Sequence, residues 1–211
     1  MFALIHNNKI KLGPIPWNYD AFKNFLTRKK LDSSHLPAVF PGTAIITEQW
    51  QLKRALLDPP PAYNNIFEEL SGPFWTIGQF DVHGSYSIIE SSLSVAKINL
   101  KRALASFRYD AEISGISIIL ESGVTFFVDT KRDSRSIFFE LSNSNQAIFY
   151  KNKDGSFTEL TILDTKHISD NISSHIQCLY RKERDIIIQI DSADSIQLLK
   201  AIKIDESVFK E

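Results

Sequence analysis

Apolar residues recur at intervals of three and four in three long segments of the chain, a spacing that predicts amphipathic helices. These segments are residues 17–30, 91–112 and 164–191. In the second, the predicted apolar face leaves Lys97, Lys101 and Arg108 outside it, and in the third Asp164 is the predicted N-cap. Weaker patterns predict short helices at 66–70, at 130–141 with Thr130 or Asp129 as its cap, and at 196–202.

Shorter apolar segments between turn residues predict β-hairpins. The first pairs residues 2–5 with 9–12 around Asn7-Asn8, because asparagine tolerates the positive φ of a tight hairpin turn. Further pairs join 116–120 to 124–128, and 147–150 to 157–160 across Lys153-Asp154-Gly155. Segments 43–50, 74–77 and 86–89 also predict strands. We expect Gly13-Pro14 and Gly72-Pro73 to end the elements that precede them, and Pro59-Pro60-Pro61 to form a stiff extended spacer.

These elements predict an α+β fold made of two small modules. Residues 1–90 form an N-terminal module of β-hairpin and helix, which we expect to be an attachment interface. Residues 91–211 follow the order helix, hairpin, helix, hairpin and long helix. A chain of 211 residues is long enough to bury a core without disulfides or metal ions.

The net charge of the chain narrows the classes of partner that it is expected to bind. The chain has 24 Lys and Arg against 25 Asp and Glu, a net charge of −1. Nucleic-acid binding normally requires a basic excess, and so does docking on anionic membranes, so neither partner is expected. The first residues lack the basic region of a signal peptide, and no apolar run approaches the ~18 residues of a membrane span. We therefore expect a soluble protein made in a cytoplasm.

The chain offers little catalytic chemistry. A single cysteine, Cys178, excludes an intrachain disulfide and is expected to be a small buried residue of a helix. His167 and His175 lie two helical turns, about 12 Å, apart, too far for one metal ion. Phosphate-binding and dinucleotide-binding glycine loops and the nucleophile elbow are absent from the sequence. No catalytic, cofactor-binding or metal-binding residue is predicted, and the protein is not expected to be an enzyme. The remaining histidines are scattered at His6, His35 and His83.

Two further features predict surfaces. The mixed charges of residues 181–185 predict a helix surface covered by ion pairs. Aromatic residues make up 11% of the chain and are enriched both in cores and at protein interfaces. An exposed aromatic cluster is also the platform on which a sugar ring could stack. The candidate interface residues are Trp17, Phe74, Trp75, Phe80 and Tyr86.

Between about residues 91 and 202 the chain carries a series of loose motifs in a fixed order. The first motif is a helix end in which Arg108-Tyr109 and then Glu112 precede Gly115. A hairpin follows it. The next motif, at 129–135, consists of an acidic residue, Thr, Lys or Arg, and then Asp and Arg. A second hairpin ends at 154–161, a helix contains His175-Ile176-Gln177, and the series closes with 190–193 and 199–202. In this order the segment resembles an uncharacterised domain family frequent in phage tail-region proteins. Residues 1–8, with Gly13-Pro14 and Trp17, also look like the start of phage tail proteins carrying that domain.

The resemblance implies a tail, tail-fibre or adaptor subunit of a tailed-phage virion. Its partners would be other tail or fibre proteins, in a symmetric assembly with further copies of itself. One alternative is a tail-fibre assembly chaperone absent from the mature virion. Another is a carbohydrate-binding host-recognition module, whose hydrolytic version would need two carboxylates about 5 to 10 Å apart. The family has no established catalytic residues, so none is carried over. Phe157 stands where many relatives have Trp, which changes packing rather than chemistry.

Overall fold

A computed structural model describes residues 1–34, 36, 44–47, 49–144, 146–152 and 155–209 of the chain. Helices and strands both contribute, which confirms the predicted α+β fold class. The chain divides into two compact units, Met1–Glu90 and Ser91–Glu211. The predictions that involve His35, Thr43 and the Lys153-Asp154 turn lie outside the described residues.

The first unit is built on a six-stranded sheet with one helix, α1 (Tyr19–Arg28). The strand order is β2-β1-β4-β6-β5, and β3 also pairs with β4. Among the strands that the structure describes in this unit, only the β4–β6 pair is parallel. The strands are β1 (Phe2–His6), β2 (Lys9–Ile15), β3 (Ala44–Thr47), β4 (Trp50–Leu57), β5 (Glu68–Ile77) and β6 (Asp81–Glu90).

The first predicted hairpin is confirmed. Asn7 and Asn8 form its turn with φ angles of 48° and 56°, and His6 pairs with Lys9 across it. Two consecutive positive φ angles match the right-handed twist of the strands on either side of a two-residue loop. Local turn chemistry therefore sets the register of this pair.

Three predictions in the first unit are wrong. The helix predicted at 66–70 does not form, because residues 66–67 lie in a turn and residues 68–70 begin β5 and pair with β6. Gly13-Pro14 and Gly72-Pro73 do not end their elements, since β2 and β5 continue through them with a shift of register. Gly13 has φ +86°, and a Cβ there would lie 2.4 Å from the Phe2 carbonyl oxygen, so the irregularity depends on glycine.

The core of the first unit covers both faces of β1. Leu4 packs on one face with Phe22 and Leu26 of α1, whereas Ala3 and Ile5 pack on the other. This division follows from the alternation of side chains along a strand. The side-chain oxygen of Asn18 accepts a hydrogen bond from the Ala21 N–H at 2.9 Å and begins α1.

The second unit has the predicted order of elements. Its α2 and α3 both pack on α4, a helix of 31 residues. The two hairpins are separate two-stranded sheets. The elements are α2 (Leu93–Ile113), β7 (Ile116–Ile119), β8 (Thr125–Val128), α3 (Arg132–Ser142), β9 (Ile148–Lys151), β10 (Phe157–Leu160), α4 (Ile162–Ser192), α5 (Ile196–Ala201) and a 3₁₀ turn (Glu206–Val208).

One face of each hairpin lines the main core of the second unit. These inner faces pack against α3 and against the N-terminal half of α4. Burial raises the pKa of Tyr150 on β9, and the nearby charge of Asp129 adds to the effect. The buried members of this core are Ile118, Leu120, Phe126, Val128, Phe138, Leu160, Ile168 and Ile172.

Both predicted helix caps in this unit are wrong. Lys131 is the N-cap of α3 and makes no side-chain cap hydrogen bond, although Thr130 or Asp129 was expected. Thr161 caps α4, and Asp164 lies three residues inside the helix in a capping box. Each of the two residues accepts a hydrogen bond from the backbone N–H of the other at 3.0 Å, so the motif satisfies two N–H groups where a single cap satisfies one.

Burial opposes ionisation of Asp164, but hydrogen bonds outweigh it. The Thr161 side chain and backbone N–H and the Glu121 backbone N–H all donate to this carboxylate, and His167 lies nearby. Together they hold the pKa of Asp164 below its usual value. The carboxylate thereby ties the β7–β8 turn to the start of α4.

Candidate interaction site

The candidate interface aromatics predicted in the first unit do not form one patch. Trp17 packs against Phe2 and Phe22, with ring centroids 5.6 and 5.2 Å apart, in the core on the α1 side of the sheet. Trp75 packs on the opposite face, where its ring lies so close to Gly84 that a Cβ there would be 2.6 Å from it. Both tryptophans are half-buried and contribute to cores.

The other three candidates lie around β5 and β6. Phe74 and Phe80 are exposed, and Tyr86 is half-buried. Phe74 precedes Trp75 on β5, so the two side chains point to opposite faces of the sheet. Phe74 lies opposite Ser85 of β6.

A larger exposed apolar surface lies on the second unit, where the sequence analysis placed no candidate residue. On β9–β10, Phe149 and Phe157 are 73% and 66% exposed. Lys151 lies opposite Phe157, and Glu159 lies opposite Phe149. The outward face of this hairpin therefore combines two phenylalanines with one positive and one negative charge.

The β7–β8 hairpin repeats this arrangement. Ile118 and Phe126 face the core, while their neighbours Ile119 and Phe127 are exposed. The sequence signal for these exposed residues is a run of adjacent apolar residues. Because neighbouring residues of a strand point to opposite faces, such a run places apolar side chains on both faces. Exposed large apolar side chains grouped on a hairpin in this way are typical of protein interaction sites. The outward hairpin face is defined here as Ile119, Phe127, Phe149, Lys151, Phe157 and Glu159.

A cluster of ion pairs joins the three main helices of the second unit. Glu112 of α2 is only 5% exposed and pairs with Arg108 of the same helix and with Arg135 of α3. The distance from Arg135 Nη1 to Glu112 Oε1 is 2.8 Å. Arg108 Nε donates to Glu183 Oε2 of α4 at 3.1 Å. Arg108 also lies over the Tyr180 ring, 4.8 Å from its centroid, a cation–π contact.

This cluster corrects one prediction, that Arg108 lies outside the buried face of α2. The mixed charges of residues 181–185 were expected to form ion pairs on a helix surface, and Glu183 does form one, with Arg108. The side chains of Arg108 and Glu183 are 15% and 13% exposed and contact each other. Arg108 and Glu112 continue the row of every fourth residue that begins at Ala96, Leu100 and Leu104, so they share the buried face.

Thr130 fixes the backbone beside this cluster. Its hydroxyl donates to the Glu112 carbonyl oxygen at 2.6 Å and accepts from the Gly115 N–H at 3.0 Å. The side chain is completely buried. Residues from two motifs far apart in the sequence, 107–115 and 129–135, thus meet at one place.

A cavity of about 600 Å³ lies beside the ion pairs. Its lining is rich in cationic and tyrosine side chains, and Lys131 and Arg132 contribute from the start of α3. Such a volume is within the range of small-ligand pockets. The polar side chains that line it are Arg108, Tyr109, Glu112, Lys131, Arg132, Arg135 and Tyr180.

The histidines and the cysteine show no metal-binding arrangement. Over the residues that the structure describes, no group of three histidine, cysteine or acidic side chains could hold an ion. Cys178 is half-buried in α4, where burial was expected. His175 Nε2 is buried and makes no hydrogen bond within the described ranges. No helix in those ranges is long and apolar enough to span a membrane.

Comparison with known protein families places most of the second unit in one of them. The family model described as Domain of unknown function (DUF4376) matches residues 95–207. That segment contains the ion-pair cluster, both hairpins of the second unit and all of α4. No curated protein matches the chain, and neither does any solved structure.

Proposed function

The chain belongs to the family described as Domain of unknown function (DUF4376), and from that premise we propose that it is a structural subunit of a tailed-phage particle. In this proposal the protein is not an enzyme and joins larger parts of the tail or tail fibre. The motif order in residues 91–202 supports the phage assignment through its resemblance to tail-region proteins. The outward hairpin face supports the attachment role.

The exposed phenylalanines are the observation that carries this proposal. Burying a phenylalanine side chain contributes roughly 1.5–3 kcal/mol, which Phe149 and Phe157 forgo in the free chain. A partner that covers them recovers that free energy. A single contact of this size is weak, but the free energies of many such contacts add up when copies of the protein repeat around a symmetric tail.

The charges on the same face would orient the partner in such a contact. Lys151 and Glu159 carry opposite signs and lie on different strands, each opposite a phenylalanine. Charge pairs at the rim of an interface contribute more to orientation and specificity than to affinity. The partner surface would then be apolar with one acidic and one basic position, on another tail protein or a further copy of this chain.

Mass spectrometry of purified phage particles tests this function. We expect the protein in the particle at three or six copies, or a multiple of these, relative to a tail protein of known copy number. Absence from particles combined with abundance in infected-cell lysate would contradict a structural role and favour the assembly chaperone.

A pair of variants tests the surface. Replacing both Phe149 and Phe157 with threonine should lower the copy number in particles, because the apolar contact is removed while β propensity is kept. Phe74→Thr is the matched control, an exposed phenylalanine on a strand of the first unit. If Phe74→Thr lowers incorporation and the double variant does not, attachment uses the first unit instead.

A further inference from the structure

Positive charge accumulates around the cavity of the second unit, beyond what the ion pairs neutralise. Four cationic side chains line it, Arg108, Lys131, Arg132 and Arg135, against the single acid Glu112. Counting Glu183, which contacts Arg108, still leaves an excess of two positive charges. We propose that this cavity binds an oxyanion, the phosphate or carboxylate group of a ligand.

Lys131 and Arg132 are the cations available to a ligand. Both are exposed, and neither has an acidic partner among the described residues. They stand at the start of α3, a helix of 11 residues whose N-cap side chain makes no cap hydrogen bond. The N-terminal end of a helix carries partial positive charge, which adds to that of the two side chains.

The partly buried arginines add hydrogen-bond donors to this charge. Arg135 Nη1 lies 2.8 Å from Glu112 Oε1, and the buried Nε of Arg135 has no hydrogen-bond acceptor in the part of the chain described. A guanidinium has five N–H donors, so one carboxylate oxygen leaves most of those on Arg135 unused. Arginine forks bind carboxylate and phosphate through two parallel hydrogen bonds. Glu112 and Tyr180 hold the two arginines in place beforehand, which lowers the entropic cost of binding.

The shared chemistry of the ligand is thus an oxyanion, which could belong to a free anion or to an acidic segment of a protein. Titration calorimetry with inorganic phosphate and, separately, with a hexaglutamate peptide distinguishes these two sources. The full chain is used in a low-salt buffer free of other oxyanions. Tighter binding of phosphate would identify a free anion, and tighter binding of the peptide would identify an acidic protein segment.

The test variant is Lys131→Gln combined with Arg132→Gln. We expect the Kd for the tighter probe to rise by about tenfold or more, as loss of charge-assisted hydrogen bonds predicts. Arg102→Gln combined with Lys166→Gln is the matched control, because it removes two exposed cations of the same unit that do not line the cavity. The control should leave the Kd within about twofold.

Two results would overturn the proposal. One is the absence of binding by either probe at millimolar concentration. The other is an equal loss of affinity in the test and control variants, which would show that only net charge attracts the anion. Neither result depends on whether the protein is found in phage particles, so this inference and the proposed function can fail separately.

Discussion

Glu112 of α2 and Arg135 of α3 form an ion pair with 2.8 Å between Oε1 and Nη1, across a hairpin that separates them in the sequence. Glu112 is buried and holds a second guanidinium, that of Arg108. One carboxylate therefore links α2 to α3, and through Arg108 and Glu183 it also links α2 to α4.

Replacing Glu112 with glutamine should destabilise the second unit by about 3 kcal/mol, since it removes the counter-charge of two partly buried arginines, Arg108 and Arg135. Urea unfolding followed by circular dichroism measures this loss. Asp110→Asn is the control, because Asp110 is an exposed carboxylate on the same helix, and it should change stability by less than about 0.5 kcal/mol. Equal effects of the two variants would mean that the buried pairs contribute nothing specific.

Thr130 should be sensitive to loss of its hydroxyl alone. Valine has the same shape, but it would leave the Glu112 carbonyl and the Gly115 N–H without their hydrogen-bond partner. We expect Thr130→Val to lower the free energy of unfolding by about 1–3 kcal/mol. Thr125→Val, at an exposed position of β8, should be nearly neutral. A stable Thr130→Val protein would show that water replaces the hydroxyl.

The parts of this fold that the sequence predicted correctly depend on local signals. The Asn7-Asn8 turn and the long apolar period of α4 involve residues close together in the chain, so pattern alone is sufficient. A helix was predicted at residues 66–70 because the strand character of residues 68–70 comes from pairing with β6, which a single segment does not reveal. Tertiary pairing overrides weak local propensity in such cases.

The candidate site was missed for a related reason. Arg108 is charged and was expected outside the apolar face of α2, although its spacing from Leu104 continues the buried row of that helix, which ends at Glu112. Only the positions of Arg135 and Glu183 on other helices make their burial favourable. The aromatic residues show the opposite error. Trp17 and Trp75 were candidate interface residues but pack in cores, whereas Phe149 and Phe157 were not candidates and are exposed.

The lowered pKa of Asp164 predicts a specific pH dependence. A carboxyl whose pKa is lower in the folded chain stabilises the fold above its unfolded pKa of about 4, and this contribution is lost as pH falls through the folded value. Asp164→Asn should therefore cost about 1 kcal/mol at neutral pH and progressively less below pH 4. Thermal unfolding of both proteins between pH 2 and pH 7 measures the difference. Asp170→Asn, which replaces an exposed carboxylate of α4, is the control and should change stability at neutral pH by less than about 0.5 kcal/mol. A constant deficit in Asp164→Asn would contradict the prediction.

The two faces of the β9–β10 hairpin should respond differently to substitution. Phe149→Thr and Phe157→Thr together should change the free energy of unfolding by less than about 1 kcal/mol, because both side chains already lie in water. Leu160→Ala on the inner face should cost about 2–5 kcal/mol, because Leu160 is completely buried against α3 and α4. Urea unfolding measures both. If the phenylalanine pair costs as much as Leu160, these residues stabilise the isolated fold, and the outward hairpin face is not a surface reserved for a partner.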